Sequence, residues 1–116
     1  MLRDSRAYLH DILTAADAIS IFLAGFGYDA YVENDLVRSA VERKFEIIGE
    51  ALAQLAKVDV DLAAQVSRWR DIVAFRNIIA HGYASLDHSV VWMATTDSLP
   101  TLRSEIEALL LGSKAK

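Results

Sequence analysis

Apolar residues recur along this chain every three or four positions, the spacing of one face of an α-helix. Leu9, Ile12, Leu13, Ala16, Ile19 and Leu23 form a first stripe. Asp4 or Ser5 can cap its start. Gly25 and Gly27 end it, because glycine tolerates the left-handed backbone of a helix terminus. Val37, Ala40, Val41, Lys44, Ile48, Ala51, Leu52 and Leu55 repeat the pattern, with the Lys44 stem lying along the stripe and its ammonium in water. A third helical region spans about Asp61 to Ala80. Its first part is short, and Ser67 is the expected junction, as a cap for the helix that follows. Ser85 or Asp87 can cap a last helix running to about Leu111, which Pro100 should kink or restart. No stretch alternates strictly, so no sheet is expected. The pattern predicts an all-α bundle of four or five helices. One domain covers residues 1–111, and a short tail, 112–116, should fray.

The chain has 116 residues, enough for one domain. Apolar types make up 53% and charged types 24%, a globular composition. There is no cysteine, which removes disulfides, thiolate metal sites and cysteine nucleophiles from consideration. The most apolar window, Ala15 to Phe26, is interrupted by Asp17 and Ser20 and is too short to span a bilayer. The N-terminus does not read as a secretory signal. A soluble, cytoplasmic protein without a membrane association is the expectation. So small a domain, with no staples, depends on an efficient core or on burying surface against a partner.

The net charge of −4 argues against a protein that coats nucleic acid, since such binding draws on a broad basic surface. The charge is not evenly spread. Residues 59–83 hold three acids and three arginines, and within residues 68–83 the balance is +2. Most other charged residues, among them Glu42, Arg43, Glu46 and Glu50, read as a solvated helix face, with Arg38–Glu42 and Arg43–Glu46 contacts offsetting like-charge repulsion. His10 and His88 read as surface or cap residues, and Trp69 and Trp92 as core or interface anchors.

The locally basic stretch contains Arg76, Asn77, His81, Gly82 and Tyr83. Asn77 and His81 are four apart and share a helix face, and Arg76 lies one residue round. Gly82 ends the helix there and frees His81 and Tyr83 to turn toward a common spot, so that guanidinium, carboxamide, imidazole and phenol can converge at the helix C-terminus. These groups suit phosphodiester chemistry. A guanidinium offers a planar fork to phosphate oxygens. An imidazole can take a proton from a ribose 2′-hydroxyl or give one to a leaving oxygen. Asparagine can orient either the imidazole or the phosphate. No acidic cluster with ligand spacing lies nearby, so no metal and no other cofactor is called for. The same residues also fit a plain structural role, because a histidine near a helix C-terminus is favoured by the open carbonyls and the helix dipole.

The run from Arg76 through Asn77 to His81, Gly82 and Tyr83 resembles the arginine, four residues, histidine, any residue, tyrosine motif of the HepT-like toxins in the HEPN superfamily. Ala40 to Ala51, ending in Ile48-Gly49-Glu50-Ala51, resembles that family's second-helix signature. Trp69-Arg70-Asp71-Ile72-Val73 resembles the run before the motif, and Leu86-Asp87, Val91-Trp92 and Leu99 to Leu102 also fit. Ala74 departs from the pattern, where the family often has glycine.

The resemblance implies a metal-independent endoribonuclease acting as a toxin. Arg76 and His81 would be the catalytic pair and Asn77 a supporting residue. It implies a homodimer with both motifs facing one cleft, an RNA substrate, and a minimal nucleotidyltransferase antitoxin that adenylylates Tyr83. A second reading is a non-catalytic module that binds nucleotide or docks on a nucleotidyltransferase, with Arg76 gripping phosphate without turnover.

Overall fold

The computed structural model describes residues 3–81 and 86–115, with side chains through Gly112. The described residues are helical with no strand. The elements are α1 (Ser5–Phe22), α2 (Tyr28–Glu33), α3 (Asp35–Val58), α4 (Val60–Ala63), α5 (Trp69–His81), α6 (His88–Met93), a π-helical turn (Ala94–Ser98) and α7 (Leu99–Ala115). The last three run on without a break, so the architecture is four long helical rods with two short helices between them. The backbone stays helical through Ala115, past the point near Leu111 where the pattern has the last helix stop.

Local chemistry sets most boundaries. The Asp4 side chain caps α1, accepting from the Arg6 amide, and Asn34 caps α3 through the Val37 amide. Gly25 takes a left-handed φ of 82° in the turn after α1. Asp87 caps α6, accepting from the Ser89 hydroxyl and amide at 2.6 and 2.9 Å. Those hydrogen bonds hold its carboxyl below the usual carboxylate range. Ser85 lies outside the described residues. The π turn answers Pro100. A proline lacks the amide hydrogen and clashes with the carbonyl four residues back, here that of Thr96, and the wider turn relieves both. Thr95 and Thr96 hydroxyls donate to the Trp92 and Met93 carbonyls there.

Ser67 does not cap α5. Its hydroxyl and amide donate to the Glu105 carboxylate of α7 at 2.5 and 3.0 Å, so it ties the α4–α5 turn to the last helix. The reason is Arg68, whose φ of 57° turns the chain one residue later than expected. The Arg68 carbonyl then accepts from the Asp71 and Ile72 amides.

Helices α1 and α3 form the centre, with α7 against α1 and α5 against α3. The core runs through Leu9, Ile12 and Ile19 of α1, Val41, Ile48, Leu52 and Leu55 of α3, and Leu102 and Ile106 of α7. Because α3 is packed by α1 on one side and α5 on another, its buried surface is wider than one stripe. Phe45, absent from the stripe read off the sequence, is buried edge-on to Phe75 of α5 at 5.5 Å. Arg103 of α7 pairs with Asp17 of α1 at 2.5 Å. Trp92 sits beside the rings of Tyr28 and Tyr31, at 6.0 and 5.2 Å, and Trp69 packs on the core beneath the Arg70 guanidinium. Both tryptophans are anchors, as expected. None of the described helices is long and apolar enough to cross a membrane.

Two expectations need correction where α2 and α6 meet α3. His88 is half-buried, with Nδ1 buried and unpaired, and the fully buried Tyr31 hydroxyl is also unpaired. Burial pushes the Tyr31 hydroxyl up to about 12, and Glu42 adds to the effect. Glu42 is therefore not a solvated residue. Its carboxyl is raised by burial, with His88 and Arg38 opposing and Asp35 and Glu46 adding smaller increases. Arg38 pairs with Asp35 rather than with Glu42, while the expected Arg43–Glu46 contact is present at 3.9 Å.

A carboxyl raised by folding disfavours the folded state once it is charged. The penalty is absent in acid, where both states are protonated, and grows as pH rises through the raised folded-state value. Glu42→Gln should therefore raise Tm at pH 7. The gain should shrink toward pH ~3, as read by thermal unfolding across that range.

Candidate active site at the end of helix α5

Helix α5 is laid against α3 at one glycine. A Cβ built on Gly49 would stand 2.7 Å from the Arg76 Cβ and 3.3 Å from the Ile72 carbonyl oxygen. Real Cβ contacts do not come that close, so the missing side chain is what lets the two helices touch. Arg76 leaves α5 at this contact and its side chain is only 28% exposed. Its NH1 lies 3.6 Å from Oε2 of Glu50, the next residue on α3. Glu50 is exposed, in line with the solvated face expected for it; what the sequence did not show is the Arg76 guanidinium beside it. The signal that could have found it is its place beside Gly49, because the residue next to a helix-crossing glycine faces the flank of the crossing helix.

Asn77 and His81 are both exposed and share the other side of α5. Five residues at 3.6 per turn set Arg76 and His81 about 140° apart around the axis. No hydrogen bond or ion pair joins Arg76 to Asn77 or His81 among the described residues. The expected convergence of Arg76 with His81 is therefore not found within one copy: Asn77 and His81 share one face, and packing on α3 sends Arg76 toward another. Gly82 and Tyr83 lie outside the described residues. Ala74 is exposed, so the departure from glycine there does not touch the α3–α5 contact. His10 is exposed, as expected.

Beside this site α5 is poorly covered. Of its 13 residues Ile79 is the one that is buried. Its packing on α6 and α7 is slight, and a groove of about 650 Å³ opens between them. Phe45 and Ile48 form the floor, Ile72 and Phe75 one wall, and Met93 and Leu102 part of the other. Ile78 and Met93 are 55% and 56% exposed. Among the described residues no three His, Asp or Glu side chains gather as a metal-ligand set.

A family profile described as ribonuclease HepT-like matches residues 12–109. The chain belongs to the HepT-like ribonuclease family. A protein of Methanocaldococcus jannaschii, provisionally named an RNase, is 32% identical over 90% of this chain and 95% of its own length. A second from that organism, named in the same way, is 29% identical over 93% and 92%. A Thermococcus cleftensis protein, provisionally named ribonuclease HepT, is 28% identical over 94% and 98%. No solved structure matches the chain. The family agrees with the resemblance read from the motif, and its match takes in both the Gly49-Glu50 pair on α3 and the Arg76–His81 stretch on α5.

For this HepT-like chain the α3–α5 contact has a measurable cost of disturbance. Gly49→Ala must push the helices apart, which costs about 1–3 kcal/mol. The better helix propensity of alanine returns up to about 1 kcal/mol. A net loss of stability is expected in urea unfolding. Gly112→Ala, with nothing within 4 Å of the added Cβ, should stay within about 0.5 kcal/mol of the parent.

Proposed function

We propose that this HepT-like ribonuclease is the toxin of a toxin–antitoxin pair and cleaves RNA internally, without a metal, at a site shared by two copies of the chain. The observation that carries this is the split of the motif around α5. Arg76 is seated against α3, while Asn77 and His81 are exposed, about 100° and 140° round the axis from it. A two-fold partner laid on the exposed side of α5 would bring its own His81 toward the Arg76 of the first copy. The apolar groove and the exposed Ile78 and Met93 supply surface for such a partner to bury. Two copies of the +2 stretch would also concentrate positive charge in one cleft while the outer surfaces stay acidic.

In that cleft the Arg76 fork grips the scissile phosphate and offsets the negative charge that builds on its oxygens. His81 takes the proton of the ribose 2′-hydroxyl, whose oxygen attacks phosphorus. The bond to the 5′-oxygen breaks, and the same imidazole, now protonated, returns a proton to that oxygen. Asn77 orients its neighbouring imidazole or the phosphate. Arg76→Ala should lower the RNA-cleavage rate by at least about 100-fold, and His81→Ala by about 10²–10⁴-fold. Circular dichroism and dimer mass should be unchanged in both. Cleavage at the parental rate by either variant would overturn the assignment.

The antitoxin is a minimal nucleotidyltransferase that adds AMP to Tyr83, two residues beyond His81. The added phosphate and bulk would occupy the place of the RNA phosphate. After co-expression with the transferase, intact-mass measurement should show added AMP on the parent and none on Tyr83→Phe. An unmodified parent would exclude this mode of neutralisation.

The separation of Arg76 and His81 within one copy also fits a non-catalytic module that binds nucleotide or docks on the transferase. Nucleotide or transferase binding by purified protein that leaves every RNA intact would favour that reading.

A further inference from the structure

We propose that Glu50 is the positioning residue for Arg76, and that Gly49 and Glu50 together form the socket that aims the guanidinium at the RNA phosphate. The proposal rests on the ribonuclease reading of Arg76 and goes beyond it by naming what holds that side chain ready.

Three observations carry it. First, the stem of Arg76 is fixed by backbone packing. The approach at Gly49 is too close for a Cβ, so the exit of the Arg76 side chain from α5 is set where α3 presents Glu50 next. Second, Glu50 stands beside the guanidinium without consuming its donors. At 3.6 Å the pair is longer than a hydrogen bond, and Arg76 donates no hydrogen bond among the described residues. Arg3, Arg38, Arg68 and Arg103 behave differently, each donating to a carboxylate. Third, the contact is made through NH1. That leaves the Nε and NH2 edge without a partner among the described residues, and this edge forms the side-on, two-pronged fork to a phosphate or carboxylate.

A guanidinium on a long flexible stem samples many orientations and loses that freedom when it grips a ligand. A carboxylate on its NH1 side biases the fork outward before RNA arrives. It is 65% exposed and therefore solvated, so it guides the guanidinium and does not lock it away. No other ion pair among the described residues joins α3 to α5, so no second carboxylate there substitutes for it.

The effect is on catalysis more than on binding, because misaimed charge stabilisation is felt most in the transition state. Glu50→Gln, which keeps the shape and removes the charge, should lower kcat for RNA cleavage about tenfold or more while KM stays within about threefold. Glu50→Asp, which keeps the charge on a shorter stem, should fall between the two. In the Arg76→Ala background Glu50→Gln should add no further loss, as expected for two residues acting as one unit. A kcat within twofold of the parent for Glu50→Gln would overturn the proposal. So would a lower KM at unchanged kcat, since the carboxylate would then be only a competitor of RNA for Arg76. A second readout does not depend on cleavage. The Arg76 Nε–H resonance, assigned by its loss in Arg76→Ala, should shift or broaden in Glu50→Gln. If the parent cleaves no RNA, the ribonuclease reading fails, and an unshifted resonance would separately overturn the role of Glu50.

Discussion

The site depends on one close contact, the place where α5 lies on α3 at Gly49. Helices joined through ordinary side chains sit about 8–10 Å apart, and a glycine at the crossing lets the backbones come closer. Here the contact places the Arg76 Cβ against bare α3 backbone and puts Glu50 alongside the guanidinium. The remainder of the bundle keeps that contact in register. Helix α1 backs α3 from the other side through Ile12, Ile19, Ile48 and Leu52. The Ser67–Glu105 hydrogen bonds pin the start of α5 to α7. Helix α5, which carries Arg76, is thereby fastened at its start and middle, and its far end carries Asn77 and His81.

That fastening leaves α5 unusually bare. A 13-residue helix with one buried residue, beside an apolar groove, has spent little of its surface on the fold of a single copy. The same bareness accounts for how an acidic chain can meet RNA. The charge of −4 is an average over a molecule whose basic stretch is confined to Arg68 and helix α5. A second copy that covers the apolar surface would bring two such stretches together without making either outer surface basic.

Much of this was legible in the sequence because it follows from periodicity and caps. The stripes on α1 and α3, the pairs of cap candidates from which the structure uses Asp4 and Asp87, and the all-helical class need only local rules. What was missed depends on which helix touches which. Glu42, Glu46 and Glu50 are four apart and look alike in one dimension; the Arg43–Glu46 pair follows from spacing, but the part-burial of Glu42 near Tyr31 and His88 and the meeting of Glu50 with Arg76 do not. Phe45 fell outside the stripe because α3 has two packed sides. Ser67 looked like a cap, but the left-handed Arg68 moved the turn and freed Ser67 for Glu105. The residues of the motif could be named from their spacing. Helix periodicity already sets Arg76 and His81 apart around α5; what the sequence did not show is that α3 holds the Arg76 stem on its side, so the two do not turn to a common spot within one copy.

The split of the motif is the central claim, and mixing two inactive variants tests it most directly. Arg76→Ala and His81→Ala chains, co-expressed at equal levels and purified as assembled dimers, form mixed pairs in half of the population. If Arg76 of one copy works with His81 of the other, each mixed pair holds one intact site, and the preparation should recover about a quarter of the parental RNA-cleavage activity. If the mixture is as inactive as either variant alone, although mixed pairs are present by mass, Arg76 and His81 act within one chain and the shared site is wrong.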